Sequence, residues 1–337
     1  MTTSLVIGGN GFLGSHVVDL LVSLGHEVTV FDRFSRGGQT YASEGVRRVA
    51  GDFLDEATLS SAMRGQDNVF HFLSFTTPAT AQANPSLDVQ NLAGSVRMME
   101  IASDQSVKRI YYASTGGAIY SPGSLASFPE THPTSPVSPY GIVKLAIEHY
   151  LGFFRETRGL ESTVLRISNP YGPRQRADRP QGLIATALSH VASDRPVVRY
   201  GDGSMVRDYL YVDDMIRMIK KVVLDGGSNV VYNIGNGRGH TVNEVLECIE
   251  RVTGLKVQVR NVAAPASFVE RSVLDIGRYV NDFGAPDLTT LDEGMFRTWE
   301  HFRAHPRSVA ASGQRPEPET SHRVAATDAE FAADNVQ

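Results

Sequence analysis

Tyr140 and Lys144 stand four residues apart in the run Ser138-Pro139-Tyr140-Gly141-Ile142-Val143-Lys144, and the chain opens on a glycine-rich stretch, Gly8-Gly9-Asn10-Gly11-Phe12-Leu13-Gly14. The pair is a candidate for proton transfer. Residues four apart share one face of a helix, so the Lys144 ammonium can lie beside the Tyr140 phenol and favour its ionised form. A tyrosine with the ordinary pKa of about 10 is a poor base at neutral pH, so it needs such help. Glycines between a strand and a helix let the backbone approach a pyrophosphate at the helix N-terminus. The two features together point to redox chemistry on a dinucleotide coupled to removal of a proton.

The elements that must position these residues are readable. Leu5-Val6-Ile7, Val28-Thr29-Val30-Phe31, Val69-Phe70-His71-Phe72-Leu73, Ile110-Tyr111-Tyr112-Ala113 and Val164-Leu165-Arg166-Ile167 are short apolar runs of the kind that form strands buried on both faces. Between the first two, Phe12, Leu13, Val17, Leu20, Leu21 and Leu24 recur at helical spacing before Gly25, which suits a C-terminal stop. Repetition of such units predicts an α/β fold: a Rossmann-type doubly wound parallel sheet with a smaller C-terminal α/β lobe for substrate. We expect the dinucleotide domain over 1–168 with a return segment near 205–235, the lobe mainly over 169–303, and a polar, proline-punctuated tail over 304–337.

Ser138 is placed to cap a helix with Pro139 in its first turn. Val143, Ile147, Tyr150, Leu151 and Phe154 form its expected inward stripe, with Tyr140 inside the stripe and Lys144 at its edge. An inward lysine needs a partner, a reason to look for a ligand there. Thr241-Val242-Asn243-Glu244 reads as a capping box opening a helix with Val245, Leu246, Ile249 and Val252 inward.

Composition narrows the function class. A net charge of -5, with no run of five or six like charges, argues against nucleic acid or an anionic membrane as partner. The single cysteine, Cys248, cannot form an internal disulfide and reads as a packed helix residue of a protein from a reducing cytoplasm. No stretch approaches the roughly 20 apolar residues of a membrane span, and Met1 to Ile7 runs into a strand without a leader pattern. The histidines form no metal-ligand spacing, so no metal is expected, and Asp213-Asp214 reads as a helix-starting cap.

In the glycine stretch, Gly8, Gly11, Phe12, Leu13 and Gly14 are the expected cofactor contacts. The spacing fits G-x-G-x-x-G from Gly9 and G-x-x-G-x-x-G from Gly8, so it does not select one dinucleotide-binding family. Asp32 closes the second predicted strand, where a carboxylate accepts from an adenosine ribose and repels a 2′-phosphate, which favours NAD over NADP. Arg33 and Arg36 pull the other way, since an arginine there can accommodate that phosphate. Gly51-Asp52-Phe53 ends the third strand in the right place to touch the adenine, although Asp52 suits a loop cap equally well.

With these residues in order, the chain resembles the extended short-chain dehydrogenase/reductases, and among them the nucleotide-sugar 4-epimerases typified by UDP-glucose 4-epimerase. The resemblance covers roughly residues 4 to 303. Its further landmarks are Asn91-Leu92-Ala93-Gly94, Ala113 through Tyr120, Leu165 through Gln175, and Gly201-Asp202-Gly203 through Asp214. It implies bound NAD, faced by Tyr140 and Lys144, and a UDP-sugar substrate. Tyr140 as phenolate would take the proton of the sugar 4-hydroxyl, Lys144 would lower the tyrosine pKa, and Thr115 would hydrogen-bond the same oxygen. It also implies that Asn169, Arg207 and Arg271 hold the diphosphate, that Leu73 lies on the cofactor-side wall, and that the protein is a homodimer packed through helices of the cofactor domain. Thr115 also suits a strand cap, and the segment around Arg271 aligns in more than one way.

Two departures bear on the reaction. Related 4,6-dehydratases follow the active-site threonine with Asp-Glu, whereas Thr115 precedes Gly116-Gly117, so the proton carriers of water elimination are missing. Arg176 sits where uronate-specific relatives carry an arginine near the C6 carboxylate, with Ser114 a possible hydroxyl donor, so UDP-glucuronate stands level with UDP-glucose. A 4-keto-sugar reductase and a non-catalytic dinucleotide sensor are the alternatives to a 4-epimerase.

Overall fold

The apolar run after Thr2 forms an interior strand of a seven-stranded sheet. The computed structural model describes residues 1–305 apart from 36–37, 124, 178–181 and 265–268; Arg36 and the tail beyond 305 lie outside the described residues. The first half runs β1 (Thr3–Ile7), α1 (Phe12–Ser23), β2 (Glu27–Asp32), β3 (Arg47–Ala50), α2 (Glu56–Met63), β4 (Asn68–His71), α3 (Pro78–Ala83), α4 (Pro85–Asp104), β5 (Arg109–Thr115), α5 (Pro139–Arg158) and β6 (Glu161–Ile167). The second half runs β7 (Asn169–Tyr171), α6 (Leu183–Ala192), β8 (Val197–Tyr200), β9 (Val206–Tyr211), α7 (Val212–Asp225), β10 (Val231–Ile234), β11 (Gly239–Thr241), α8 (Val242–Thr253), β12 (Val259–Val262), β13 (Arg271–Ser272), α9 (Gly277–Phe283) and α10 (Leu291–Ala304).

The large sheet is parallel throughout, in the order β10-β6-β5-β4-β1-β2-β3. This is the doubly wound Rossmann arrangement. Its strands are apolar on both sides because helices cover both faces. On one face Val17, Val18 and Leu21 of α1 pack with Met215, Met218 and Val222 of α7; on the other, Met98 and Met99 of α4 pack with Ile147 and Leu151 of α5. The chain thus returns to the first core through α7 and β10, while β9 lies in a small sheet with β7, β11 and β13. A separate core, with Leu188 of α6, Val245 and Ile249 of α8 and Trp299 of α10, underlies the second lobe.

Local signals set several boundaries. Gly25, at φ +78°, follows the end of α1 with open space where a side chain would stand. Ser138 Oγ accepts from Gly141 N at 3.2 Å and caps α5, with Pro139 in the first turn. Thr241 and Glu244 form the reciprocal capping box of α8. Two expectations fail. Tyr150 is 40% exposed, because the stripe that reaches the core is Val143, Ile147, Leu151 and Phe154. Asp214 is not a cap: it lies in the first turn of α7, 0% exposed, and accepts from Thr289 N and Thr289 Oγ1, both at 2.7 Å, as well as from Arg217. Its carboxylate ties α7 to a loop far along the chain, which adjacent residues give no hint of.

Candidate active site

The glycine stretch is tight because its glycines leave little or no room for a side chain. Gly8 leaves β1 at φ +80°, and a Cβ there would lie 2.7 Å from the Leu73 backbone nitrogen. That close approach joins the segments leaving β1 and β4, neighbours at the point where strand order reverses, the crevice in which open α/β sheets bind ligands. A Cβ on Gly14 would overlap the Gly8 carbonyl oxygen, and one on Gly11 would stand 3.2 Å from it. Helix α1 then starts at Phe12 and Leu13 with no side-chain cap on Gly11 and no acidic residue in its first turn. Its amide end therefore faces the crevice with no carboxylate from its own first turn, which fits a pyrophosphate.

Asp32, at the end of β2, accepts from Asn10 N at 3.1 Å and from Phe34 N at 3.3 Å, which fixes the carboxylate beside the glycine stretch. Arg33 is exposed. Asp52 accepts from Leu54 N at 2.9 Å in a turn, the loop-cap role. Phe53 is 2% exposed and stacks on His71 with ring centroids 5.1 Å apart, so the backbone rather than the ring is what that position can offer a ligand.

Tyr140 and Lys144 line one cavity together with Leu73. Their geometry corrects the sequence reading. Lys144 Nζ donates to Ala113 O at 2.7 Å, and lies 4.8 Å from the Tyr112 ring centre against 5.7 Å from that of Tyr140. Ala113 lies beyond the last β4–β5 pair, His71 with Tyr112, so its carbonyl is open to a side-chain donor. Burial pulls the Lys144 pKa down to about 8, against the opposing carboxylates of Asp88 and Glu148. Burial also pushes the Tyr140 phenol above the ordinary tyrosine range, and the Asp88 carboxylate adds to the rise. Lys144 alone therefore does not activate the phenol.

Ser114 is also placed differently from expectation. It is 5% exposed and its hydroxyl donates to Glu148, which is paired with Arg166 at 2.7 Å. Successive strand residues face opposite sides, so Ser114 joins the α5 side and Thr115 the other. Arg166 Nη1 also donates to the Tyr120 hydroxyl at 3.0 Å, which in turn donates to Asn233 Oδ1 at 2.6 Å. Both charged partners are over nine-tenths buried. Removing one leaves the other unpaired in the core, so Glu148→Gln is expected to lower unfolding free energy by about 3–5 kcal/mol in urea titrations, and Glu148→Leu with Arg166→Met by less.

A Cβ built on Gly117 would stand 3.8 Å from Ser272 Oγ and 3.9 Å from both Asn169 Oδ1 and Thr115 Oγ1. Three polar side chains from β5, β7 and β13 thus converge on one glycine. Thr115 Oγ1 accepts from Gly117 N at 3.3 Å, and Asn169 Nδ2 donates to Asp208 O at 3.1 Å. In the small sheet Arg207 is paired with Ser272 on one side and His240 on the other. Arg207 is part-buried, with Nη1 donating to Val206 O at 2.9 Å, while Arg271 is exposed and donates to Ala126 O at 3.4 Å. Arg176 is part-buried on the loop after β7, where Arg174 pairs with Asp19 of α1 at 2.7 Å.

Sequence reasoning missed three residues here: Ser272, Asp88 and Asp208. Asp208 is 0% exposed and accepts from Asn236 N at 2.8 Å, Gly237 N at 3.1 Å and Leu274 N at 3.2 Å, fastening the segments around Ser272. An aspartate in a strand flanked by an arginine and a tyrosine carries no signal of that. The only available clue to Asp88 was its place in the landmark helix, three residues before Asn91. Among the described residues, no group of three or more His, Cys, Asp or Glu is placed to hold a metal ion.

The profile of the NAD-dependent epimerase/dehydratase family matches residues 4–235. Among solved structures, the UDP-glucose 4-epimerase of Thermotoga maritima, crystallised with UDP-glucose, is 35% identical at a TM-score of 0.85, covering 90% of this chain and 100% of its own. A UDP-glucose 4-epimerase of Streptomyces lividans is 32% identical over 335 residues, 92% of this chain and 98% of the relative. A dTDP-glucose 4,6-dehydratase of an Actinoplanes species is 30% identical over 316 residues, 89% of this chain and 98% of the relative. From the family match over most of its length and these relatives, the chain belongs to the NAD-dependent epimerase/dehydratase family, as an enzyme with NAD for its cofactor.

Proposed function

We propose that the chain inverts C4 of a UDP-hexose, glucose/galactose or glucuronate/galacturonate, through a transient 4-keto sugar. NAD, held by the glycine stretch and Asp32, would supply the acceptor and then the donor of the C4 hydride. Tyr140 takes the proton of the 4-hydroxyl and returns it, Thr115 hydrogen-bonds the same oxygen, and Lys144 holds positive charge behind the pair. Asn169 and Arg207, with Arg271 at the rim, hold the diphosphate. The relatives named as UDP-glucose 4-epimerases support this substrate class.

The observation that carries epimerisation over dehydration is at Gly116. A Cβ there would stand 2.5 Å from Leu274 Cδ1, so the packing that follows Thr115 excludes the side chain a dehydratase needs for its acid. Incubation with UDP-glucose, UDP-GlcNAc and UDP-glucuronate separately, without added NADH, is expected to yield a 4-epimer from at least one. A 4-keto-6-deoxy product, or turnover only with stoichiometric NADH, overturns the reading. Arg176 keeps a uronate level with a neutral hexose, since a guanidinium suits a carboxylate bidentately. Arg207→Ala is expected to raise KM about 10–100-fold with a smaller effect on kcat, read from initial rates across substrate concentration.

The same reading includes a cytoplasmic homodimer. Helices α4 and α5 pack side by side and leave Val89, Ile142 and Phe153 more than half exposed, an apolar face suited to a second copy. Light scattering on the purified protein should give twice the chain mass, and Phe153→Asp should return it to one.

A further inference from the structure

The cavity lined by Tyr140 and Lys144 has a volume of about 10 Å³, about the room needed for the centre of one water molecule. Three residues of its wall carry a buried polar atom with no protein partner: Asp88 Oδ2, the Tyr112 hydroxyl and His71 Nδ1. Each such atom costs about 1–3 kcal/mol if left alone, and an ordered water, which takes two to four polar partners, is what such a site suits. Asp88 is 1% exposed and held rigidly, since Oδ1 accepts from Thr76 Oγ1 at 2.5 Å and from Asn91 Nδ2 at 2.6 Å. Asn91 in turn accepts from Phe75 N at 2.8 Å. The second oxygen is therefore aimed by its neighbours and does not swing.

We propose that Asp88 is a positioning residue of the reaction: with one ordered water in this cavity, it fixes the Lys144 ammonium against β5 and keeps it charged. The groups around that ammonium come from three other places. From β4, His71 is neutral, its pKa driven down to about 3 by burial and by Lys144 itself. From β5, Tyr112 offers its ring face and has its hydroxyl pKa raised well above the ordinary value by burial. From α5, Tyr140 is a neutral phenol and Glu148 is engaged by Arg166. Asp88, from α4, is the carboxylate with an oxygen to spare. The arrangement has a cost at the neighbouring base, because the same charge opposes ionisation of Tyr140.

The inference rests on Tyr140–Lys144 being the working pair, and its test uses no sugar, so failure of the proposed substrate leaves it standing. The chain has five lysines, Lys108, Lys144, Lys220, Lys221 and Lys256, few enough for a carbon-13 titration of the lysine ε-positions by NMR. Lys144 is assigned from the signal lost in Lys144→Met. In the NAD-loaded protein Asp88→Asn, which keeps shape and both Oδ1 contacts, is expected to lower the proton affinity of Lys144 at least tenfold. An unchanged Lys144 titration in the folded variant overturns the proposal. Independently, a high-resolution crystal structure of the wild-type holoenzyme is expected to show one water within hydrogen-bond distance of Asp88 Oδ2 and the Tyr112 hydroxyl. A dry cavity there overturns it without recourse to a variant.

Discussion

Tyr140→Phe is expected to lower kcat by about 10²–10⁴-fold while leaving NAD content and substrate KM within about threefold. The ring fills the same space, so α5 and the cavity wall keep their shape, and the loss is confined to the hydroxyl. The size follows from the environment. The phenol is raised above its ordinary pKa by burial and by Asp88, and Lys144 is engaged at Ala113 O rather than turned wholly on Tyr140. His71, in the same wall, is not arranged to take over as base: its pKa is near 3 and it is bonded to Ser95. Single-turnover rates, with bound NAD measured after denaturation, separate the two effects. Turnover at the wild-type rate would remove Tyr140 from the mechanism. The pH dependence carries a sign as well: the ammonium of Lys144 is lost as pH rises through about 8, so kcat should fall above that value if its charge is needed.

Gly14→Ala is expected to be the more damaging change to the cofactor site, with NAD affinity reduced at least 100-fold. The added Cβ overlaps the Gly8 carbonyl oxygen and also approaches Gly8 C and Gly9 Cα at 2.9 Å, all of them backbone. No rotamer relieves this, so the start of α1 and the turn after β1 must separate, at an overpacking cost of about 1–3 kcal/mol or more. The amides that would face a pyrophosphate move with them. Gly11→Ala, whose Cβ meets the same oxygen at 3.2 Å, should do less, and Gly25→Ala, with open space around it but φ +78°, should cost stability and spare NAD. Binding isotherms and melting temperatures with and without NAD give this ranking, and equal affinity across all three would contradict it.

What the sequence disclosed was what neighbours along the chain decide. Ser138 capping Gly141, the Thr241–Glu244 box, the stop at Gly25 and the end of β2 at Asp32 are short-range events, and each was readable from residue type and spacing. The long-range partners were not. Lys144 could be seen to face inward, but its acceptor is a carbonyl 31 residues away. Ser114 looked like a hydroxyl for a sugar until Glu148, 34 residues on in α5, was seen to take it. Asp214 had the composition of a cap and the job of a tether to Thr289. Asp208 and Ser272 gave no pattern at all, because their roles arise only where β9, β13 and the segment after β10 meet.

The way the chain visits its two cores restricts how the enzyme can be recombined. Residues up to 168 belong to the large sheet, 169–211 to the second lobe, α7 and β10 to the first core again, 235–275 to the lobe, α9 to the first core through Tyr279, and α10 to the lobe through Met295 and Trp299. A chimera made at one crossover point would therefore inherit at least one of the two cores from both parents. Transplanting the second lobe of a relative calls for junctions at every one of these passages, near 168, 211, 234, 275 and 290, while the Tyr140 helix and the glycine crevice can stay as a single uninterrupted block.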